Sequence, residues 1–324
     1  MILVLGATGL LGTELIKQLA KDGKMVKALY RNTSPTFLHP TINWIEGDIM
    51  DVVFLDNLIS SVDLVYNCAG LISFSPKQRD LLYKINVEGT SNIVNACLNN
   101  NIKKLIHVSS VASLGRASNT EIINEKTIWN NSEKNSEYAK SKHHGEIEVW
   151  RGIAEGLNSV IVNPSIILGA GDWKAGSTKI FKTIYDNFEW YSTGINGFVD
   201  VQDVAKAMIY LMESSITNQR FILNADNLEY KKIFESIATI WNKKLPHKQI
   251  TPFLAGIRWR IEKVKAIFSK QEPLITRETV NTAMEQYFYN NNKLLNELPE
   301  FSYQSMDITL KRICKELEVK YKLS

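Results

Sequence analysis

The hydrophobic positions of the first half of the chain form short apolar runs separated by longer amphipathic stretches. The runs predict strands over 2–5, 25–30, 42–46, 64–68, 104–109 and 159–163. The amphipathic stretches predict helices over 10–21, 51–60, 78–99 and 135–156. This alternation is typical of a parallel sheet covered by helices, so we expect a doubly wound α/β domain.

Beyond about residue 165 the alternation becomes irregular. A glycine-rich stretch, LGAGDWKAG, is followed by a short apolar run at GFVDV, a helical pattern over 201–213 and a second run at RFILN. We interpret GFVDV and RFILN as strands that return to the existing sheet. The chain is therefore divided into a first domain over 1–165 and a smaller, mostly helical substrate lobe over 166–324, with segments near 198–215 and 220–226 returning to the first domain.

Composition and charge exclude several classes of protein. Apolar residues make up 44% of the 324 residues, which indicates a folded chain, and a net charge of +4 is too small and too dispersed to indicate nucleic-acid binding. Three widely separated cysteines fit neither a disulfide framework nor a zinc site, so we expect reduced thiols and no bound metal. The opening MILVLGATG has no signal-peptide pattern, and a cytoplasmic protein is expected.

The segment GATGLLG joins the first predicted strand to the first predicted helix. Gly6 would form the tight turn, Gly9 would let the backbone approach a pyrophosphate, and Gly12 begins the helix whose free N–H groups face the anion. The alternative is a row of glycines that only packs the helix. The position after an N-terminal strand favours dinucleotide binding, and the flanking residues Thr8, Leu10 and Leu11 are included in the predicted cofactor site.

The ends of the second and third strands carry the residues that would distinguish between cofactors. Arg31 stands where an acidic residue would bind the ribose 2′-hydroxyl of NAD, so NADP(H) is favoured over NAD(H). Alternatively, Arg31 only covers the adenine face and both cofactors bind. Asp48 would accept from the adenine amino group with Ile49 against the ring, whereas Asp51 fits the N-cap of the next helix.

A tyrosine and a lysine four residues apart occur in YAKSK, residues 138–142. Positions i and i+4 lie on one face of a helix, so Tyr138 and Lys142 can reach the same ligand. The fifth strand ends in HVSSVASLG, which places a serine at the carboxyl edge of the sheet, where open α/β sheets bind ligands. A phenol normally titrates near ~10, so a Lys142 ammonium beside Tyr138, together with an oxidised nicotinamide ring nearby, is expected to lower the pKa of Tyr138 and make it an acid–base group.

Five motifs occur together in the order found in the extended short-chain dehydrogenases/reductases: GxxGxxG, NVEGT at 86–90, the double serine, YxxxK and NPSIILGAG at 163–171. The chain resembles that family over nearly its whole length. The resemblance implies a Rossmann fold and catalytic roles for Asn86, Ser110, Tyr138 and Lys142. Ser110 is preferred to Ser109 because the family's catalytic serine lies five residues before a glycine, here Gly115. A homodimer formed through helices 78–99 and 135–156 is also implied.

The resemblance extends the predicted site to further residues. On the cofactor side the predicted contacts also include Cys68, Ala69, Gly70, Asn163, Ser165 and Ile166, together with Tyr138 and Lys142. On the substrate side they are Leu71, Ser110, Val111, Tyr138, Trp173 and Lys174.

The branch of the family is inferred from what the motifs lack. Val111 and Ala112 follow Ser110 where dehydratases carry an Asp-Glu pair, and Asn196 and Gly197 stand where epimerases carry the Arg that binds a diphosphate. The remaining branch resembles dihydroflavonol reductases, cinnamoyl-CoA reductases and 3β-hydroxysteroid dehydrogenases. We therefore expect NADP(H)-dependent reduction or oxidation of a bulky ketone, aldehyde or secondary alcohol.

Two alternatives stay open from the sequence. A nucleoside-diphosphate-sugar epimerase would need Lys174, Lys179 and Lys182 to replace the missing Arg, and a non-catalytic NADP-sensing regulator would be expected to lack part of the tetrad. The basic apolar segment 252–270 fits a packed helix or lid better than a membrane-surface helix.

Overall fold

A computed structural model describes residues 1–115, 122–132, 135–251 and 284–323. The strands in chain order are β1 (Ile2–Leu5), β2 (Val26–Tyr30), β3 (Ile42–Glu46), β4 (Leu64–Asn67), β5 (Lys104–Val108), β6 (Ile122–Ile123), β7 (Ser159–Pro164), β8 (Ile166–Leu168), β9 (Trp190–Tyr191), β10 (Ile195–Asp200), β11 (Gln219–Leu223), β12 (Asp226–Glu229), β13 (Lys248–Gln249) and β14 (Phe288–Tyr289). The helices are α1 (Leu10–Lys21), α2 (Val52–Ile59), α3 (Arg79–Tyr83), α4 (Gly89–Asn99), α5 (Glu137–Ala154), α6 (Lys179–Tyr185), α7 (Val201–Glu213), α8 (Tyr230–Ile240), α9 (Asn292–Glu297) and α10 (Met306–Tyr321).

Seven parallel strands form the central sheet in the order β11-β7-β5-β4-β1-β2-β3. The chain lays β1, β2 and β3 to one side and then returns to place β4, β5, β7 and β11 on the other. The order therefore reverses between β1 and β4, and the loops at their carboxyl ends diverge to open the crevice where doubly wound sheets bind ligands. The prediction of a doubly wound α/β fold is confirmed.

Helices cover both faces of this sheet. On one face α1 and α7 pack over residues such as Val4, Val160 and Phe221, and on the other α2, α4 and α5 pack over Leu3, Val65 and Leu105. The buried residues of β1 alternate between these two faces because side chains project to opposite sides of a strand. The uninterrupted apolar runs of the sequence follow from this burial on both faces.

The strand predictions for the first half agree with the structure to within one residue at each end. The predicted helix over 78–99 is instead composite: a 3₁₀ turn (Pro76–Gln78), α3, a π-helical turn (Lys84–Glu88) and α4. Propensity and periodicity do not distinguish a π turn from an α turn, so the sequence pattern read as one helix.

The prediction for GFVDV is corrected by the topology. RFILN joins the large sheet as β11 beside β7, but GFVDV forms part of β10, which pairs with β8 and β12 in a separate three-stranded sheet. Because β11 occupies the edge next to β7, β10 pairs instead with β8, the strand that follows β7 along the chain. A third core, including Phe181, Phe198 and Ile313, lies where this small sheet meets α6, α8 and α10.

The segment 252–270 lies outside the described residues. Within the described parts of the chain, no helix is long and apolar enough to span a bilayer. Among the same residues, no cluster of three or more His, Cys, Asp or Glu side chains has the geometry to hold a metal ion.

Helix α5 approaches its neighbours through two glycines. A Cβ at position 145 would lie 2.2 Å from the backbone carbonyl oxygen of Asn86, in the π turn before α4. A Cβ at position 152 would lie 2.5 Å from Cγ1 of Val94, the end of a side chain on α4. The two positions therefore meet obstacles of different kinds, one in the backbone and one in a side chain.

Replacing Gly145 should cost much more stability than replacing Gly152. We expect Gly145→Ala to lower the free energy of unfolding by about 3 kcal/mol, because a backbone carbonyl cannot move aside without displacing the π turn. Gly152→Ala should lower it by only about 1 to 2 kcal/mol, since the obstacle is the side chain of Val94 and not the backbone, and alanine favours the helix. Urea denaturation of the two variants measures the difference, and equal losses would contradict the close contact at Asn86.

Candidate active site

The glycine loop lies at the carboxyl end of β1 and leads into α1. Gly6 adopts φ 71°, which favours glycine, and a Cβ there would lie 2.7 Å from the backbone of Ala69. Gly12 packs the start of α1 against the loop, since its Cβ would lie 2.3 Å from the Gly6 carbonyl oxygen. Gly9 is exposed at the N-cap of α1, and the helix receives no side-chain cap there. The first-turn N–H groups of α1 are thus available to an anion.

The residues flanking the glycines are placed differently. Thr8 and Leu10 are half-buried, and Leu10 faces Gly169 and Gly171 of the loop after β8. Leu11 is 8% exposed and packs into the core beneath the sheet, so its side chain is a packing residue.

Arg31 and Asp48 meet at the carboxyl ends of β2 and β3. Nη1 of Arg31 lies 3.5 Å from Oδ2 of Asp48, and both side chains are exposed. Asp51, by contrast, accepts from the N–H of Phe54 and caps α2, as the sequence indicated. Ile49 is 8% exposed and contacts Gly89, so it packs mainly in the core.

The end of β4 is fixed by Asn86, which lies in the π turn. The Asn86 side chain accepts from the Leu71 N–H at 2.8 Å and donates to the Leu71 carbonyl at 2.9 Å, pairing with the backbone like a neighbouring strand. It also donates to Oγ of Ser141. The turn brings the chain that contains Cys68, Ala69 and Gly70 alongside α5. Short π turns often occur at functional sites because they redirect side chains.

The structure assigns different positions to the two serines after β5. Ser109 is 5% exposed and donates to the buried carboxylate of Glu146 at 2.7 Å. Ser110 accepts from the N–H of Ala112 and begins a 3₁₀ turn that ends at Gly115, which adopts φ 82°. Ser110 neighbours the phenol of Tyr138, consistent with the choice of Ser110 over Ser109.

Tyr138 and Lys142 lie one turn apart near the start of α5, which Ser136 caps by accepting from the N–H of Ala139. Lys142 is 6% exposed, and its Nζ donates to the Val108 carbonyl of β5 at 2.7 Å. A Cβ on Gly70 would lie 3.7 Å from this Nζ and 3.4 Å from Oδ1 of Asn86. The lysine thus enters the crevice between the ends of β4 and β5.

Burial shifts the pKa values of Tyr138 and Lys142 in opposite directions. Burial raises the pKa of the Tyr138 phenol, and the nearby Ser110 hydroxyl acts in the opposite direction. Burial also lowers the pKa of Lys142 to about 8, against the opposing charge of Glu146. Burial outweighs the Ser110 hydroxyl in setting the pKa of Tyr138. The phenol is protonated at neutral pH. The expected lowering of this pKa by Lys142 together with an oxidised nicotinamide ring stays a prediction.

An apolar surface next to Tyr138 was missed from the sequence. The ring of Phe74 packs edge-on against the ring of Tyr138, with centroids 5.8 Å apart, and Ile72 in the same loop is 62% exposed. The signal was present in LISF, an apolar run placed after a strand where a polar loop is normal.

A buried acid next to the site was missed as well. Glu146 follows Lys142 by one helical turn, is 2% exposed and pairs with Arg220 of β11. Asn163, predicted to contact the cofactor, is fully buried and donates to Glu146 and to the Ser110 carbonyl. The side chain of Asn163 therefore supports from below the 3₁₀ turn that Ser110 begins, residues 110–115, called here the serine turn. The prediction of a side-chain contact between Asn163 and the cofactor is corrected.

Other predicted contacts lie away from the crevice. Trp173 is 7% exposed and packs against Tyr321 and Tyr185 in the core of the C-terminal lobe, and Val111 is 7% exposed in a cluster with Ile123 and Ile222. These two substrate contacts are corrected, because an apolar side chain packed in a core does not face a ligand. Ser165 is buried, Ile166 and Leu71 are half-buried, and Lys174 is exposed.

Comparison with known proteins identifies relatives of the whole chain. Residues 2–224 match the model of the NAD dependent epimerase/dehydratase family. A Synechocystis sp. protein whose name places it with the dihydroflavonol 4-reductases is 28% identical over 305 residues, covering 91% of this chain and 88% of the relative. Cinnamoyl-CoA reductase 1 of Petunia hybrida is 26% identical over 240 residues, covering 68% and 71%. The crystal structure of gox2253 superposes with a TM-score of 0.83 at 26% identity, covering 99% of this chain and 98% of that one.

The buried environment of Lys142 should be visible in its titration. We expect its ammonium group to lose its proton near pH 8, well below the ~10.4 of exposed lysines, because burial disfavours the charged form. Nuclear magnetic resonance of ¹³C-labelled lysine, with the Lys142 signal identified by Lys142→Arg, measures this value. A Lys142 that titrates together with the exposed lysines would contradict the buried placement.

Proposed function

The chain belongs to the NAD dependent epimerase/dehydratase family, and we propose that it is an NADP(H)-dependent reductase of a bulky, largely apolar ketone or aldehyde. The observation that carries this proposal is the convergence of Asn86, Ser110, Tyr138 and Lys142 beside the glycine loop, at the carboxyl edge of the sheet. The names of the relatives, dihydroflavonol 4-reductase and cinnamoyl-CoA reductase, support the direction of reduction.

The residues of the crevice fit a dinucleotide. The uncapped start of α1 and the exposed Gly9 would hold the pyrophosphate, Arg31 would pair with a 2′-phosphate, and Lys142 would face the nicotinamide ribose. Reduced nicotinamide, when bound, supplies the hydride for the carbonyl carbon. Every other group that the reaction needs is present on the chain.

Each of the four side chains has a separate role in the proposed reaction. Ser110 is placed to donate a hydrogen bond to the carbonyl oxygen and so polarise the carbonyl group. Tyr138, whose phenol is protonated at neutral pH and whose pKa burial raises further, donates a proton to the oxygen as the alcohol forms. Lys142, charged below pH 8, stabilises the phenolate that remains. Asn86 holds the loop at the end of β4, and with it the wall of the crevice.

The surroundings of the tyrosine support an apolar substrate. Phe74 and Ile72 present apolar surface beside the Tyr138 ring. Two of the residues considered for a diphosphate have other partners: Asn196 is buried and donates to the Tyr230 hydroxyl, and Lys182 forms a surface ion pair with Asp186, whereas Lys174 is exposed. Sugar nucleotides remain the contrasting substrate class, and titration with UDP- and dTDP-sugars distinguishes the two.

Removing the phenol should separate chemistry from binding. We expect Tyr138→Phe to reduce the rate of NADPH oxidation at least 1,000-fold with a panel of aromatic and alicyclic ketones and aldehydes, about 4 kcal/mol of barrier, because the phenol is the proposed source of the proton. NADPH affinity, measured by calorimetric titration, should change less than about 3-fold, or roughly 0.7 kcal/mol.

Tyr83→Phe is the matched control, since the Tyr83 ring also packs on α5, against His144, but lies outside the proposed site. It should retain the wild-type rate. Retained turnover in Tyr138→Phe would refute the assignment, and wild-type NADPH binding without turnover of any carbonyl compound would favour a sensor.

The cofactor preference should depend on Arg31. Arg31→Ala should weaken NADPH binding about 10- to 100-fold, the effect of one charge-assisted hydrogen bond to phosphate, and leave NADH binding unchanged. Lys24→Ala, which removes an exposed charge before the amino end of β2, is the control and should affect neither cofactor. Equal weakening of both cofactors by Arg31→Ala would mean that the guanidinium covers the adenine and does not select the phosphate.

A further inference from the structure

The buried carboxylate of Glu146 accepts several hydrogen bonds beneath the serine turn. Oε2 of Glu146 accepts from Ser109 Oγ at 2.7 Å, from Asn163 Nδ2 at 2.8 Å and lies 2.7 Å from Ser113 Oγ. Oε1 accepts from Arg220 Nη1 at 3.1 Å and from Trp150 Nε1 at 3.3 Å. The side chain is 2% exposed, so this polar cluster is screened from water.

The residues that bond to Glu146 lie both before and after Ser110 in the sequence. Ser109 immediately precedes it, and Ser113 follows it in the 3₁₀ turn, with its hydroxyl 2.7 Å from the Ser110 carbonyl oxygen. Asn163 reaches across from β7 and donates to the same carbonyl at 3.1 Å. The backbone of Ser110 is therefore tied to the Glu146 carboxylate by short links before and after the residue.

Glu146 also belongs to the helix that carries the other two reactive groups. Tyr138, Lys142 and Glu146 are spaced four residues apart on α5 and so lie along one face. The carboxylate thereby joins the helix of Tyr138 directly to the turn of Ser110. The distance between the Tyr138 phenol and the Ser110 hydroxyl therefore depends on the hydrogen bonds of Glu146 as well as on the packing of α5.

The chemistry of the cluster requires a carboxylate. Both oxygens of Glu146 accept only, and donors lie against each of them. A glutamine has one accepting oxygen and one NH₂ group, so either orientation would place an N–H against a donor. Arg220 supplies the opposite charge, and together with the hydrogen bonds it lowers the pKa of Glu146 against the effect of burial.

We propose that Glu146 is a positioning residue for Ser110, acting through Ser109, Ser113 and Asn163 to hold the serine hydroxyl at its working distance from Tyr138. The inference rests on the proposed function, since it assigns Ser110 to the reacting carbonyl. It predicts that Glu146 affects the reaction only through Ser110.

A double-mutant cycle tests this directly. Glu146→Gln should lower kcat about 10- to 100-fold, as expected when a catalytic group is misplaced by about 1 Å, with the KM for NADPH unchanged within about 2-fold. In the Ser110→Ala background the same substitution should have no further effect on kcat. Equal fold-losses in both backgrounds would overturn the proposal, because they would mean that Glu146 acts on stability or on Lys142.

Two further variants test whether a loss of folded protein, and not the displacement of Ser110, explains a lower kcat in Glu146→Gln. Gly152→Ala perturbs the same helix without touching the serine turn and should retain kcat, so an equal loss in this variant would contradict the proposal. Ser113→Ala removes one link with little change in volume. It should lower kcat about 3- to 10-fold and be silent in the Ser110→Ala background, which keeps the test available if Glu146→Gln does not fold.

Hydrogen exchange provides a readout that needs no substrate. In Glu146→Gln the amides of Ala112 and Ser113, which are bonded to Ser110 in the folded protein, should exchange at least 10-fold faster, whereas amides of α1 should not change. Unchanged exchange of the turn would overturn the inference. If the wild-type protein reduced no carbonyl compound but the turn loosened in the variant, the proposed function would fail and the structural link would stand.

Discussion

The close contact between α5 and the π turn at Asn86 is the constraint on which the site depends. A glycine at position 145 lets the helix backbone come within reach of the Asn86 carbonyl, where any side chain would collide at 2.2 Å. This approach carries Lys142 into the crevice between β4 and β5, and it brings Tyr138 beside Ser110. Asn86 in turn uses its side chain to fix the end of β4. Sheet, loop and helix are therefore positioned by one contact.

Burial on this face of α5 decides the charge states of the reactive groups. Burial raises the pKa of the Tyr138 phenol further above neutral and lowers the pKa of Lys142 to about 8. Glu146, one turn further on, opposes the shift in Lys142 while it pairs with Arg220. A protonated phenol next to a lysine that is charged at neutral pH is a suitable proton donor for a carbonyl oxygen.

Much of the fold was predictable because its signals are local. Apolar runs and glycine spacing located the strands of the first half and the turn at Gly6. Tertiary pairing was not predictable in the same way: GFVDV has the pattern of a strand, but nothing in that pattern says which sheet it joins. Trp173 and Asn163 lie in motifs next to the site, yet their side chains turn into cores. Glu146 looked like one more charge on a charged helix, since its donors come from β5, β7 and β11, which only the folded sheet brings together.

Transfer of hydride from NADPH to the carbonyl carbon can be measured directly with a deuterium label. The protein would be incubated with a carbonyl compound that it consumes and with NADPH in which both hydrogens at C4 of the dihydronicotinamide are deuterium, and the alcohol would be examined by mass spectrometry. Hydride transfer from NADPH predicts one deuterium at the carbinol carbon for each NADP⁺ formed, with the added hydroxyl proton coming from solvent. A product alcohol without deuterium, or conversion of a sugar nucleotide with no net formation of NADP⁺, would contradict it.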